Sequence, residues 1–274
     1  MNSKPVVFCQ KVTKYYPAHL SIKSLLKLQF KRALTLILRE IDFKVFSGEI
    51  FGIVGPNGAG KTTILKILCH LTPPDSGNVS VCGYDTEREW ERVLHRIGYC
   101  ISEERSFFWR LTGRQNLEFF SDLMEVPVDI ARKRIEDLLE FLEIKDAANA
   151  RFMNYPSGMK QRMAVARSLL TDPDVLIMDE PTRGLDPRGA SRLRSFIKKY
   201  VSTNGRTAIV TTNLVSDIEN LCDRIAILNR GRIIAMGSIP EIRASLEQRH
   251  HIEEEMTFET IFNRLLEADS KERE

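Results

Sequence analysis

Gly55-Pro56-Asn57-Gly58-Ala59-Gly60-Lys61-Thr62-Thr63 has the form G-x-x-x-x-G-K-[ST]. The apolar run Ile50-Phe51-Gly52-Ile53-Val54 precedes it, and Thr63-Ile64-Leu65-Lys66-Ile67-Leu68 follows at helical spacing. Strand, loop and helix thus come in the order that a phosphate-binding loop requires. Glycines let successive backbone N–H groups converge on one point. The N-terminus of the following helix adds partial positive charge there. In such a loop Lys61 reaches the β- and γ-phosphates of a nucleotide, and the Thr62 hydroxyl ligates Mg2+.

The rest of the composition narrows the setting. A chain of 274 residues can bury one complex core or two smaller ones. Its net charge of +3 is too small to imply a nucleic acid partner. No apolar run approaches the roughly 20 residues that span a bilayer. Met1-Asn2-Ser3-Lys4-Pro5 has no apolar signal core behind it, so secretion is not expected. The cysteines Cys9, Cys69, Cys82, Cys100 and Cys222 are scattered without a C-x-x-C pair, as buried reduced thiols of a cytoplasmic protein would be.

Along the chain, Val6 to Val12 reads as a strand, and Ile41, Phe43 and Val45 alternate with polar residues before the Ser47-Gly48 turn. Asn78 to Cys82 is a short strand. From about Thr86 to Asn154 strand signals fade and charged helices such as Asp129 to Glu143 take over, as in a helical insert. Val175-Leu176-Ile177-Met178 has the continuous apolar character of a buried parallel strand. Thr207 to Thr211 is another strand. Arg224 to Leu228 and Arg232 to Met236 flank a hairpin turn at Asn229-Arg230-Gly231. Phe258, Ile261, Phe262, Leu265 and Leu266 share one face of a tail helix. The fold class expected is α/β: a P-loop NTPase core with a mostly parallel sheet, an antiparallel β subdomain and an inserted helical subdomain.

Met178-Asp179-Glu180-Pro181 ends the apolar strand, and open parallel sheets bind ligands at the carboxyl ends of their strands. Asp179 is placed to hold Mg2+ beside Thr62, and Glu180 to orient or deprotonate an attacking water. With these motifs in place the chain resembles the ATP-binding cassette (ABC) ATPases, the nucleotide-binding subunits of membrane transporters. Gly48 to Thr63, Leu176 to Pro187 and Ser157-Gly158-Met159-Lys160-Gln161-Arg162 carry the resemblance, in the family's order and spacing. It covers about residues 6–240, with the core near 6–86 and 167–240, the insert near 87–166 and a helical tail at 241–274.

The resemblance implies a head-to-tail dimer, with ATP between one subunit's phosphate loop and the other's signature residues Ser157, Gly158, Met159 and Lys160. Homodimer and heterodimer with a second cassette both remain open. It implies a membrane-spanning permease partner, a place at the cytoplasmic face of the membrane, and no nucleic acid partner. An aromatic stacks on adenine in this family: Tyr16 fits best, Tyr15 being the alternative. Gly184-Leu185-Asp186 matches the segment that touches the partner's site, and Arg183 reads as an ordinary loop residue.

Three positions depart from the family pattern. Pro156 replaces the signature serine, and it has neither hydroxyl nor N–H. Ser157 follows it, where it is expected to cap the next helix or supply the missing hydroxyl. Ser102 stands where a metal-proximal glutamine is expected. Asn213 stands where a histidine meets the γ-phosphate, and it can donate a hydrogen bond but carries no proton to transfer. ATP binding with slow hydrolysis follows, against the alternative that these residues suffice.

Two further stretches have competing readings. Ile22, Leu25, Leu26, Phe30, Ala33 and Ile37 recur at helical spacing with Lys23, Lys27 and Lys31 mostly off that face. Packing on the sheet is the favoured reading; lying on an anionic membrane, as in some polysaccharide-export ATPases, is the other. Arg105-Ser106-Phe107-Phe108-Trp109-Arg110-Leu111 is either a docking pocket for a permease helix or core of the insert. Together with the tail pattern Thr257 to Phe262, the signature resembles the exporter branch, which implies export of a lipid, glycan or drug-like compound. The alternatives are a low-turnover regulatory cassette and a soluble cassette ATPase outside transport.

Overall fold

The computed structural model describes residues 4–17, 34–101, 106–250 and 257–271. Two sheets organise them. In chain order the elements of the first half are β1 (Val7–Pro17), β2 (Leu34–Val45), β3 (Ile50–Val54), α1 (Lys61–Leu68), β4 (Ser76–Val81), β5 (Tyr84–Asp85), α2 (Trp90–Leu94) and β6 (Ile97–Ile101). Helices α3 (Gly113–Leu123), α4 (Val128–Phe141) and α5 (Ser157–Ser168) follow. The rest is β7 (Val175–Asp179), α6 (Pro187–Asn204), β8 (Thr207–Thr212), α7 (Val215–Leu221), β9 (Arg224–Asn229), β10 (Arg232–Gly237), α8 (Ile239–His250) and α9 (Phe258–Lys271).

The larger sheet runs β10-β9-β3-β8-β7-β6 and is parallel except for β10. The antiparallel sheet runs β2-β1-β4-β5. Every residue of β3 and β8 is buried, because the parallel sheet is covered on both faces. The pleat splits its side chains by parity. Leu176, Met178, Ala208 and Val210 pack toward the helical subdomain, with Leu117, Leu139, Phe152 and Ile197. Val175, Ile177 and Ile209 pack toward the antiparallel sheet and α1, with Phe51, Leu65 and Leu68. A third cluster seats the tail: Phe258 and Ile261 are fully buried against Val54, Ile225 and Ile227.

Two expectations are corrected here. Leu34 to Glu40 is strand, so Ile37 lies on β2 and not on a helix. Leu34, Leu36 and Leu38 also satisfy a period of two, and pairing with β1 (Leu36 with Tyr15, Leu38 with Lys14) decides between the two periods. Residues Ile22 to Ala33 of that reading lie outside the described residues. Within the stretch read as helical insert, Ile97–Ile101 is instead the edge strand of the parallel sheet, paired with β7. Gly98 permits this: a Cβ there would come within 2.0 Å of the Ser168 carbonyl oxygen. The hairpin stands as read, with Arg230 and Gly231 both at positive φ.

The five cysteines are free, with Cys82 and Cys222 only partly buried. Burial pushes the Cys82 thiol up to about 11 and those of Cys100 and Cys222 up to about 12.

Candidate functional site

The phosphate-loop motif sits where β3 turns into α1. Gly60 caps α1 at φ +110°, a conformation that other residues rarely adopt. A Cβ at this position would also press within 2.6 Å of Leu38. Lys61 is nearly buried, and its Nζ donates to the carbonyls of Gly55 (2.7 Å) and Pro56 (3.2 Å), curling over the loop. Burial pulls this ammonium below its ordinary value, while Glu180 and Asp179 act against the shift.

Parallel pairing carries the acids to the same place. The β7 register sets Asp179 between Ile101 of β6 and Thr211 of β8. The Thr62 hydroxyl donates to Asp179 Oδ2 at 2.9 Å, and the Thr211 hydroxyl donates to Asp179 Oδ1. Glu180 is next, and its N–H donates to Thr211 O (3.0 Å) and Oγ1 (3.1 Å). Its φ of +46° is unusual for a residue with a side chain, and such strain clusters at functional sites. Arg183 Nη1 donates to Glu180 Oε2 at 2.8 Å.

These groups line one cavity of about 680 Å3. Its walls come from β1 (Tyr16), β2 (Ile37), β6 (Ile101), the loop (Asn57, Gly58, Gly60), the first turn of α1 (Lys61, Thr62, Thr63), and Asp179, Glu180 and Arg183. Of the two tyrosines considered for adenine, Tyr16 is on the wall. The donor set suits Mg2+: a hydroxyl and a carboxylate oxygen, both hard ligands, already face each other. A helix N-terminus, glycine backbone and a lysine beside them suit polyphosphate.

Behind the acids lies a buried network that sequence reading missed. Asp217 on α7 is fully buried. It accepts from Thr182 of the loop after β7, from Thr212 at the end of β8 (3.1 Å) and from Arg194 of α6 (2.9 Å). One carboxylate thus ties the segment that follows Glu180 to the segment that precedes Asn213. No spacing in the sequence links residues 182, 194, 212 and 217. Arg183, expected to be an ordinary loop residue, is instead part of the cavity. Thr211 could have been inferred from the pairing of two apolar strands, one ending in Asp179.

Other expected residues lie apart. Asn213 is exposed just beyond β8 and is not on the cavity wall. Ser102 lies outside the described residues, although Ile101 before it lines the cavity. Ser157, Gly158, Met159 and Lys160 form the first turn of α5, away from the cavity wall. The capping role expected of Ser157 is corrected: Pro156 is the N-cap, its carbonyl accepts from Met159 N and Lys160 N, and no side chain caps the helix. Proline's fixed φ enters the helix one residue earlier than a serine cap at 157 would.

The aromatic segment divides between its two readings. Phe107 is buried and stacks on Phe152 at 4.6 Å. Phe108 and Trp109 are about half exposed. Buried Asn116 holds this loop by accepting from Phe108 N and donating to Phe108 O and Thr112 O. Lys160 Nζ lies 5.1 Å from the Trp109 ring centroid, so the first turn of α5 touches the aromatic patch.

A phosphate loop joined through Thr62 to an acidic strand end, within this two-sheet core, defines a nucleotide-binding cassette. The chain belongs to the ABC transporter family, whose profile matches residues 38–183. It is 39% identical over 204 residues to the daunorubicin resistance ATP-binding protein DrrA3 of Streptomyces coeruleorubidus, covering 74% of this chain and 64% of that one. To the Nod factor export ATP-binding protein I of Burkholderia orbicola it is 38% identical, covering 74% and 66%. To the ABC transporter ATP-binding protein NatA of Bacillus subtilis it is 32% identical, covering 80% and 89%. The chain thus spans slightly under two thirds of the length of the first two of these relatives.

Among solved structures, the fold matches cbiO1 of Clostridium perfringens, part of the ABC transporter complex cbiONQ (TM-score 0.75, 24% identity, 90% of this chain and 93% of that one). It also matches a dimeric ATP-binding cassette in a post-hydrolysis state bound to ADP and Pi (TM-score 0.73, 24% identity, 85% and 98%).

Proposed function

We propose that this chain is the ATP-binding and ATP-hydrolysing subunit of an ABC exporter. The observation that carries the reading is the cavity in which Lys61 and Thr62 of the phosphate loop meet Asp179 and Glu180. Gly55 to Thr63 hold the phosphates of ATP, and Tyr16 stacks on adenine. Thr62 and Asp179 would hold Mg2+, with Ser102 reaching it through a bridging water. Mg2+, when bound, neutralises charge that develops on the phosphoryl oxygens. Glu180 accepts the proton of the attacking water. The anchored N–H of Glu180 keeps its backbone from shifting as the proton is taken.

Ser157, Gly158, Met159 and Lys160 meet the ATP of a second cassette, which accounts for their distance from this chain's own cavity. Phe108 and Trp109 offer exposed aromatic surface of the kind enriched at protein interfaces, here toward a membrane-spanning permease. Among the described residues no helix is long and apolar enough to cross a membrane, and the proposed permease supplies the membrane-spanning part. On this reading the chain works at the cytoplasmic membrane face. The relatives named for daunorubicin resistance and Nod factor export support a drug-like, lipid or glycan cargo. Purification from native membranes in mild detergent tests the transport reading: a polytopic protein is expected to co-purify. Recovery with ribosomes or nucleic acid alone would overturn it.

We further propose a reduced rate of hydrolysis. Asn213 can neither take up a proton nor carry positive charge, and Pro156 brings no hydroxyl to the partner's γ-phosphate. Asn213→His is expected to raise kcat. A wild-type rate near the ordinary ~10 s−1, unmoved by that substitution, would contradict this.

A further inference from the structure

We propose that Arg183 is an internal brake on Glu180. The inference rests on the reading that Glu180 takes the proton from water. Arg183 Nη1 donates to Glu180 Oε2 at 2.8 Å, so one of the two oxygens of the proton acceptor is engaged by a cationic donor, which stabilises the carboxylate and makes it a poorer base. The guanidinium and the carboxylate share the wall of the cavity that holds Lys61, Thr62 and Asp179. The brake acts where hydrolysis would occur.

Arg183 is not needed to place Glu180. The Glu180 backbone is anchored by its own N–H to two oxygens of Thr211. The turn that follows is closed by Arg183 N–H donating to Glu180 O (3.1 Å), a bond that any residue but proline retains. Thr182 is fixed independently by Asp217. Among the described residues the Arg183 side chain bonds to Glu180, and it is 74% exposed, while the Glu180 side chain it covers is 17% exposed. A side chain so exposed opens and closes easily, so the pair slows proton transfer without abolishing it. Arg183 therefore acts through Glu180 by holding the base in an unproductive pairing, not by fixing its place.

Steady-state ATP turnover of the full chain with Mg2+ tests the brake. Arg183→Ala is expected to raise kcat roughly three- to fivefold, the range of a weak exposed ion pair, with KM for ATP within about twofold. Arg183→Lys, which keeps a cationic donor, is expected to stay near the wild-type rate. A kcat for Arg183→Ala that is unchanged or lower overturns the brake, and so does a rise in Arg183→Lys equal to that in Arg183→Ala. The underlying reading fails separately: Glu180→Gln that keeps its turnover removes Glu180 as the base. Arg183→Ala/Glu180→Gln is expected to be as inactive as Glu180→Gln alone. A gain from Arg183→Ala that survives in the double variant would mean that Arg183 acts elsewhere.

Discussion

Glu180→Gln is expected to lower ATP turnover by roughly 10²- to 10⁴-fold, the usual contribution of a positioned general base, while leaving ATP bound. Glutamine has nearly the same shape but cannot accept the proton from water. The features that seat residue 180 survive the change. Its N–H still donates to Thr211, and its +46° φ is set by the pull of that anchor and of the turn to Arg183. The Thr62–Asp179 contact that joins loop and strand does not involve it. The loss should therefore fall on kcat, with KM for ATP nearly constant. Steady-state kinetics beside equilibrium binding of ATP separates the two quantities. A variant that keeps turnover within tenfold of wild type would show that the proton goes elsewhere.

The largest expected effect on stability is at Asp217. Asp217→Ala is expected to destabilise the chain by about 2–4 kcal/mol, the scale of breaking a buried charge network. Three donors lose their acceptor together: Thr182, Thr212 and Arg194. Arg194 is only 16% exposed, so its guanidinium is left largely desolvated without a counter-charge. Asp217→Asn keeps the shape and part of the hydrogen bonding, and it should cost less. Urea unfolding reads both. An Asp217→Ala midpoint equal to wild type would show that water or another group satisfies these donors.

The two sites differ in how far sequence alone could reveal them. The phosphate loop is legible because its parts are contiguous: an apolar strand, glycines and a helix starting at Lys61. The β9–β10 hairpin, the apolar strand β7 and the tail helix were legible for the same reason, each being a local pattern with its own period. Strand β6 was not. Ile97 to Ile101 is short, contains a glycine and sits among charged helices, and only pairing with β7 makes it a strand. Leu34 to Leu38 fits two periods, and pairing with the distant strand β1, which sets Pro17 against Leu34 and Lys14 against Leu38, chooses between them.

The same holds within the site. Asp179 and Glu180 could be read because the apolar run Val175 to Met178 points at them. The Asp217 network could not, because it joins residues from four separate elements. Arg183 escaped because a charged loop residue usually faces water, and its guanidinium is indeed mostly exposed. What sequence lacks is the bend at Glu180, which turns the chain so that residue 183 folds back on residue 180.

Titration of ATP into the purified chain tests the central claim most directly. With Mg2+ the expected result is one saturable ATP site per chain, weakened at least ~10-fold by a chelator, since Thr62 and Asp179 would hold Mg2+ in the proposed site, where it would neutralise phosphate charge. Lys61→Ala should weaken binding further. No saturable binding, or binding indifferent to both Mg2+ and Lys61, would contradict the assignment of Gly55 to Thr63 and Asp179 as a Mg2+-ATP site.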